Sequence, residues 1–404
     1  MSDRSDPAAR PEPAARLPLA VIAGLFLATL ALRPQLLAIG PLLPLIREDL
    51  ELSAGIAGFL TTIPVLCMGV FAPIGPFVAA RLGPKTAFGV CLALVVGLGM
   101  VRAVAPNYPL VLLATLGIGI GVGVAGAIPS MIVSQRIASR PALGTGAYAG
   151  GIVAGSTLAA AAAVPLAVNG DWRQSLLVIS AVSLVSVGAW FALVRGDRPG
   201  GAIRVTVPHL PWRHGTAWLL VAAFGLQSLM YYGVVAWLPN AFVERGWTTA
   251  AAGSLVAVAN GLGLITTLGV PLVADRLGGR RRQLVASAVV STAATLAIVL
   301  LPAYAFLWVA ILGLGLGSVF PLVLTLPLDV TDEPRQVGSV TALMLLGGYI
   351  VSALGPFALG AARDVTGDFE ASLWILVLVG VALVGCSLLI SPSRLRHGIR
   401  RHPA

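Results

Sequence analysis

Charged residues are scarce in this sequence: they make up 10% of the 404 residues, whereas 57% are hydrophobic. A soluble globular domain carries about 25% charged residues, so water is not the solvent for most of this surface. Three cysteines, all within apolar segments, exclude a disulfide framework and a cysteine-based metal site. The four histidines lie outside the apolar segments, and every Asp and Glu lies outside the segment centres. The usual buried carboxylate or imidazole of a proton relay is therefore missing, so no proton relay through the protein is expected.

Twelve apolar runs are long enough to cross a hydrocarbon core of about 30 Å as helices. Backbone groups in lipid must pair within the chain, so each run is predicted to be helical. The predicted fold class is an all-α membrane protein with twelve transmembrane helices in two pseudo-symmetric six-helix bundles. The predicted spans are 17–46, 54–80, 85–105, 108–135, 142–168, 173–194, 215–242, 249–274, 283–302, 304–328, 337–361 and 371–391.

The spans divide the chain into five predicted segments. Residues 17–194 form the N-terminal six-helix bundle and 215–391 the C-terminal one, joined by a cytoplasmic linker at 195–214. Residues 1–16 are predicted to be a disordered cytoplasmic tail, because they lack the apolar core and cleavage site of a signal peptide. Residues 392–404 form a basic cytoplasmic tail.

The basic residues predict the orientation. With both termini inside, 20 of the 26 Lys and Arg residues fall on the cytoplasmic side, as the positive-inside rule requires. This predicts an integral protein of a prokaryotic plasma (inner) membrane with both termini cytoplasmic. The net charge of +10 is spread between spans rather than on one face, so the bilayer, not nucleic acid, is the expected partner, and a monomer is expected. The outer loops are predicted to hold Arg47, Arg102, Arg173, Arg245 and Arg363.

An internal repeat supports two halves of equal architecture. Residues 76–85 (PFVAARLGPK) align with residues 271–280 (PLVADRLGGR) at an offset of 195, and the offset holds upstream without a gap. Parallel repeats of this kind are typical of transporters whose halves rock about a midplane site.

Both repeated segments resemble the cytoplasmic signature G-x-x-x-D-R-x-G-R-R of the major facilitator superfamily. The second copy is nearly complete, whereas the first has Ala80 where the family prefers Asp. The resemblance implies alternating access and a cytoplasmic gate that pairs charges between the halves. The residues it assigns to this gate are Arg81, Lys85, Asp275, Arg276 and Arg280.

Seven short stretches indicate a narrower resemblance: 32–34, 40–44, 60–67, 224–228, 237–239, 348–349 and 355–356. In these stretches the chain is similar to the cyanate and 2-nitroimidazole transporter branch (CynX/NimT) of the superfamily. The sequence departs from that branch at Ala125, where Asn is common, and at Leu345, where Gln is common. The resemblance implies a secondary active or facilitative transporter of a small anion or a compact polar or heteroaromatic solute.

Arg33 is the first candidate for a substrate-binding residue, because it alone among the charged residues lies in the middle of a predicted span. A charge there costs about 2.5–3.5 kcal/mol on insertion scales, and a guanidinium suits a planar anion. Gln227 and Tyr231 lie four residues apart, hence on one helical face, at the depth of Arg33 in the repeat frame. Tyr148 and Tyr349 are further substrate-site candidates, for which packing is the competing explanation.

Other functions remain as alternatives. Efflux of a neutral drug-like compound would depend on apolar walls rather than on Arg33. A membrane sensor would need a larger soluble output domain, and an enzyme is not predicted because no nucleophile–base pair or metal cluster occurs within a span. A G-x-G-x-x-G match at 121–126 lacks the strand–turn–helix context of a nucleotide site, so no cofactor is predicted. Glycine pairs such as Gly151/Gly155 and Gly313/Gly317 instead predict close helix packing.

Overall fold

The structure is a computed structural model that describes residues 19–137, 141–167, 169, 171–196, 210–277, 280–330 and 334–390. Side chains are described for these residues except at 141–142, 271–277, 328–330 and 334–335. The predicted tails 1–16 and 392–404 and most of the predicted linker 195–214 lie outside the described residues.

Sixteen α-helices make up twelve candidate membrane spans in the described part of the chain, which confirms the predicted all-α fold. The first, second and fourth spans each contain more than one α-helix, and every other span contains one α-helix. The helices are α1 Leu19–Leu32, α2 Pro34–Leu37, α3 Ile39–Asp49, α4 Ala54–Phe71, α5 Gly75–Leu82, α6 Pro84–Ala103, α7 Tyr108–Ala125, α8 Ile128–Arg136, α9 Pro141–Ala163, α10 Trp172–Leu193, α11 Gly215–Glu244, α12 Thr249–Leu277, α13 Arg280–Leu300, α14 Ala305–Val330, α15 Pro334–Thr366 and α16 Glu370–Leu389.

The pattern of helix neighbours repeats between the halves. In the first half α1 packs against α9 and α10, and α6 packs against α7 and α10. In the second half α11 packs against α15 and α16, and α13 packs against α14 and α16, which are the equivalent spans six positions later. This correspondence is the pseudo-symmetry that the sequence repeat predicted.

Large apolar side chains face outward on many helices. Leu113, Val182, Val185 and Leu378 are each more than 60% exposed although they lie within spans. Such a surface would be unstable in water and is the surface that a bilayer covers. The three cysteines are buried and free, so each packs as a small hydrophobic side chain.

The first span is interrupted beside Arg33. Pro34 has no N–H, so the carbonyl of Leu30 loses its usual helical donor, and the helix restarts as the four-residue α2. The gap places Arg33 between two helical segments near the middle of the span. By contrast, Pro239 and Pro356 lie inside continuous helices.

Glycines allow the helices around this interruption to approach closely. A Cβ on Gly155 would lie 2.1 Å from the carbonyl oxygen of Leu30, and one on Gly151 would lie 2.4 Å from that of Phe26. In the second half a Cβ on Gly313 would lie 2.4 Å from the carbonyl oxygen of a residue on α12. The predicted glycine-mediated packing is therefore confirmed at both pairs of helices.

Candidate functional site

A cavity lies between the two halves. Residues from α9, α11, α12, α14 and α15 line it together with Arg33, so both halves contribute. Most of the wall is aliphatic, including Leu264, Leu312 and Leu316, with Phe320 as an aromatic surface. Arg33 is the only charged side chain among the described residues that line it. The cavity therefore has largely apolar walls and one positive charge among its described lining residues.

Arg33 reaches across from the first half to the second. Its Nη1 donates a hydrogen bond to the hydroxyl of Tyr232 at 3.1 Å and lies 3.9 Å from the sulfur of Met68. The Nε is buried and has no hydrogen-bond partner in the described part of the chain. A guanidinium has five N–H donors and no acceptor, so it leaves donor capacity for a ligand. An anion that enters the cavity would therefore be attracted most strongly to Arg33.

The α11 wall carries the predicted polar residues. Gln227 lines the cavity and accepts a hydrogen bond from the hydroxyl of Ser228 at 3.1 Å. Tyr231 also lines it and donates to the Oδ1 of Asn260 on α12 at 2.9 Å. The Nδ2 of Asn260 is buried and has no partner among the described residues. Gln227 and Tyr231 thus share the cavity-facing side of α11, as their spacing of four predicted.

The two remaining tyrosine candidates lie in different places. Tyr349 lines the cavity, and its ring packs edge-on against Phe224 with centroids 5.1 Å apart. Tyr148 is half-buried against the core of the first half and does not line the cavity. It lies one helical turn before Ile152, the first α9 residue in the cavity wall. It therefore shares the correct face of α9 but lies beyond the end of the cavity.

The residues assigned to the cytoplasmic gate lie far from the cavity along their spans. Arg81 is exposed in the last turn of α5, and the Nζ of Lys85 lies 5.9 Å from the ring centroid of Phe191. Arg280 is the first residue of α13. The side chains of the other two, Asp275 and Arg276, lie outside the described residues. The gate therefore stays a prediction.

The halves are joined by hydrogen bonds at the opposite end of the spans. The Asp364 carboxylate on α15 accepts from the backbone N–H groups of Ala54 and Gly55, at 2.8 and 2.6 Å, and so caps the start of α4. Arg47 at the end of α3 donates to Asn240 on α11 at 3.4 Å. A carboxylate at a helix N-terminus also complements the helix dipole. These contacts close this end of the interface between the halves.

The prediction that Arg102 lies in an outer loop is wrong. The residue lies in the last turn of α6, with 0% of its surface exposed, and donates to Gln35 of the first span. The physical reason is that α6 continues to Ala103 and the basic side chain points into the first half instead of out of the membrane. The sequence alone does not show whether a basic side chain at the end of an apolar run points into the protein or out of the membrane.

Two lining residues are not among the predicted site residues. Asn260 is an amide within an apolar span, and this polarity was a usable signal. Tyr232 follows Tyr231 directly, yet its bond to Arg33 joins residues 199 positions apart. Helical spacing within one span gives no information about such a contact.

Twelve membrane helices, two repeated halves and a cavity between them define a membrane transporter of the alternating-access class. Residues 21–356 match the family described as Major Facilitator Superfamily, and the chain belongs to that superfamily. The match covers both halves, so it rests on more than one local motif.

Curated relatives and a solved structure agree with this assignment. The chain is 29% identical to the cyanate transport protein CynX of Escherichia coli (strain K12) over 372 residues, which are 92% of this chain and 97% of that protein. It is 27% identical to the 2-nitroimidazole transporter of the same strain over 375 residues, 92% of this chain and 94% of that protein. The crystal structure of a bacterial homologue of the human lysosomal transporter Spinster, inward-facing and occupied, superposes with a TM-score of 0.75 at 16% identity. That comparison covers 97% of this chain and 100% of the other, and shows a shared fold.

Proposed function

We propose that this transporter carries a small anion or a compact polar or heteroaromatic solute that binds at Arg33. The observation that supports this proposal most directly is that Arg33 is the one charged side chain among the described residues lining a largely apolar cavity. The low dielectric of such a cavity strengthens the attraction between a guanidinium and an anion. Gln227, Tyr231 and Tyr349 are proposed to orient the solute, because all three line the same cavity.

The relatives support this substrate class. Cyanate, named for one relative, is a small linear anion, and 2-nitroimidazole, named for another, is a compact heteroaromatic. Both would fit a cavity that combines one cation with apolar walls. Efflux of a neutral drug-like compound is the second candidate, and the aliphatic and aromatic walls favour it. No catalytic role is proposed.

We propose further that the protein is an inner-membrane monomer with both termini in the cytoplasm. In that orientation the contacts of Arg47 and Asp364 lie at the outer end of the interface between the halves. The basic loops support this placement, since Arg81, Lys85 and Arg280 would all lie inside. Pairing of the gate residues would then close the cytoplasmic end in the alternative conformation.

Flux in proteoliposomes tests this function. We expect saturable counterflow of a labelled anion, with cyanate and an aromatic carboxylate as probes and the neutral amide of that carboxylate as the comparison. An inside-negative potential opposes anion uptake by about 2.3 kcal/mol per charge per 100 mV, so it should slow anion uptake and leave neutral uptake unchanged. Potential-independent flux of the neutral compound alone would favour the second candidate. Proton flux tied strictly to substrate flux, and abolished by changing one membrane residue, would contradict transport without a protein proton relay.

A further inference from the structure

Arg102 is a second buried cation, separate from the cavity. Its side chain is fully buried, and its Nε and Nη1 have no hydrogen-bond partner among the described residues. No described carboxylate lies within ion-pair distance of it. Burying an ion costs several kcal/mol even after relaxation, so a guanidinium in this position is expected to have a role.

Both side-chain hydrogen bonds that Arg102 makes within the described part of the chain go to one residue of the interrupted first span. Its Nη2 donates to the backbone carbonyl of Gln35 at 2.7 Å and to the Oε1 of the same residue at 3.0 Å. The Nε2 of Gln35 donates to the hydroxyl of Ser180 on α10 at 2.9 Å, and this hydroxyl donates to the carbonyl of Leu176 at 2.7 Å. Gln35 and Ser180 are fully buried. A chain of hydrogen bonds thus ties α6, α2 and α10 together inside the first half.

Gln35 is two residues from Arg33, and the short helix α2 carries it. At about 100° per residue, positions two apart on a helix point in nearly opposite directions. This agrees with Gln35 facing the interior of the first half while Arg33 faces the cavity. A four-residue helix bounded by interruptions has little stability of its own, so its orientation depends on its contacts.

We propose, building on the anion site above, that Arg102 is a positioning residue for Arg33. By holding Gln35 against Ser180, it fixes the orientation of α2 and directs Arg33 into the cavity. Its hydrogen-bond chain lies wholly within the first half and stays intact while the two halves rock. The bond from Arg33 to Tyr232 crosses between the halves, so a substrate can replace it without loosening Arg33 itself.

Thiol labelling tests this role without any substrate. In the full chain, with the three native cysteines replaced by Ala, Arg33→Cys introduces a thiol at the cavity and is labelled with a water-soluble methanethiosulfonate. We expect Arg102→Met to slow the labelling by about tenfold or more. Without Arg102 the orientation of α2 is no longer fixed, so the side chain at position 33 turns away from the cavity. Ser180→Ala should slow it by a smaller factor.

A reference thiol on the other wall separates positioning from general loosening. Thr267→Cys lies on α12 in the cavity wall, and its labelling rate should change less than about twofold when Arg102 is replaced. If Arg102→Met does not fold, Arg102→Lys takes its place, because it keeps the charge without the planar fork. An unchanged rate at position 33 in the folded variants would overturn the proposal, as would equal changes at both thiols.

Discussion

Replacing Arg33 with Gln is expected to lower the affinity for a transported anion about 10- to 100-fold. A hydrogen bond to a charged group contributes about 1.5–3 kcal/mol, which corresponds to that range of dissociation constants. Arg33 is also the only charge among the described cavity-lining residues, so no neighbouring cation replaces it. Thermal unfolding of the purified protein at increasing anion concentration measures the change, because a ligand stabilises the state it binds.

Two further variants separate the local role of Arg33 from net charge. Arg33→Lys keeps the positive charge but loses the planar fork of donors, so it should bind more weakly than wild type and better than Arg33→Gln. Arg245→Gln removes the same charge at the end of α11, away from the cavity, and should bind like wild type. Wild-type anion affinity in Arg33→Gln would make Arg33 structural and move the function towards transport of neutral solutes.

Replacing Gly155 with Leu is expected to destabilise the protein by more than about 3 kcal/mol, the upper part of the usual overpacking range. Even the Cβ would lie 2.1 Å from the carbonyl oxygen of Leu30, and backbone atoms there cannot move aside as a flexible side chain can. The resulting separation of α9 from α1 would begin just before the interruption at Arg33. The melting temperature and the yield of monodisperse protein measure the effect.

Gly188 on α10 provides the matched control. It is exposed within its span, and nothing lies within 4 Å of the position that its Cβ would occupy. Gly188→Leu should be neutral or stabilising, since Leu has the higher helix propensity and would face lipid. Equal losses of stability in the two variants would contradict close packing of α9 on α1.

The helices and their symmetry were predictable because they follow from local composition. A run of apolar residues must be helical in lipid, and the repeat of residues 76–85 at 271–280 carries the relation between the halves. Arg33, Gln227 and Tyr231 line one cavity. This was predictable because the repeat offset places them at a similar depth in the membrane, and the helical periodicity places Gln227 and Tyr231 on one face. Tyr148 shows the limit of the same reasoning, because a face repeats along the whole helix while a cavity covers only part of it.

Contacts between distant spans were not predictable in this way. The orientation of Arg102 depends on which neighbour α6 packs against, and its partner Gln35 is 67 residues away in the sequence. The cap that Asp364 provides at Ala54 and Gly55 joins positions more than 300 residues apart. Such pairs are determined by tertiary packing, and one sequence alone carries no signal for them.

Binding of a matched pair of compounds tests the anion site most directly. The pair is a small heteroaromatic carboxylate and its amide, which have similar shapes, but only the carboxylate is charged. If Arg33 forms an anion site, the carboxylate should stabilise the wild-type protein at a concentration at least about tenfold lower than the amide requires. This ratio corresponds to a difference in binding free energy of about 1.4 kcal/mol or more. Equal stabilisation by both compounds, or a preference for the amide, would contradict it.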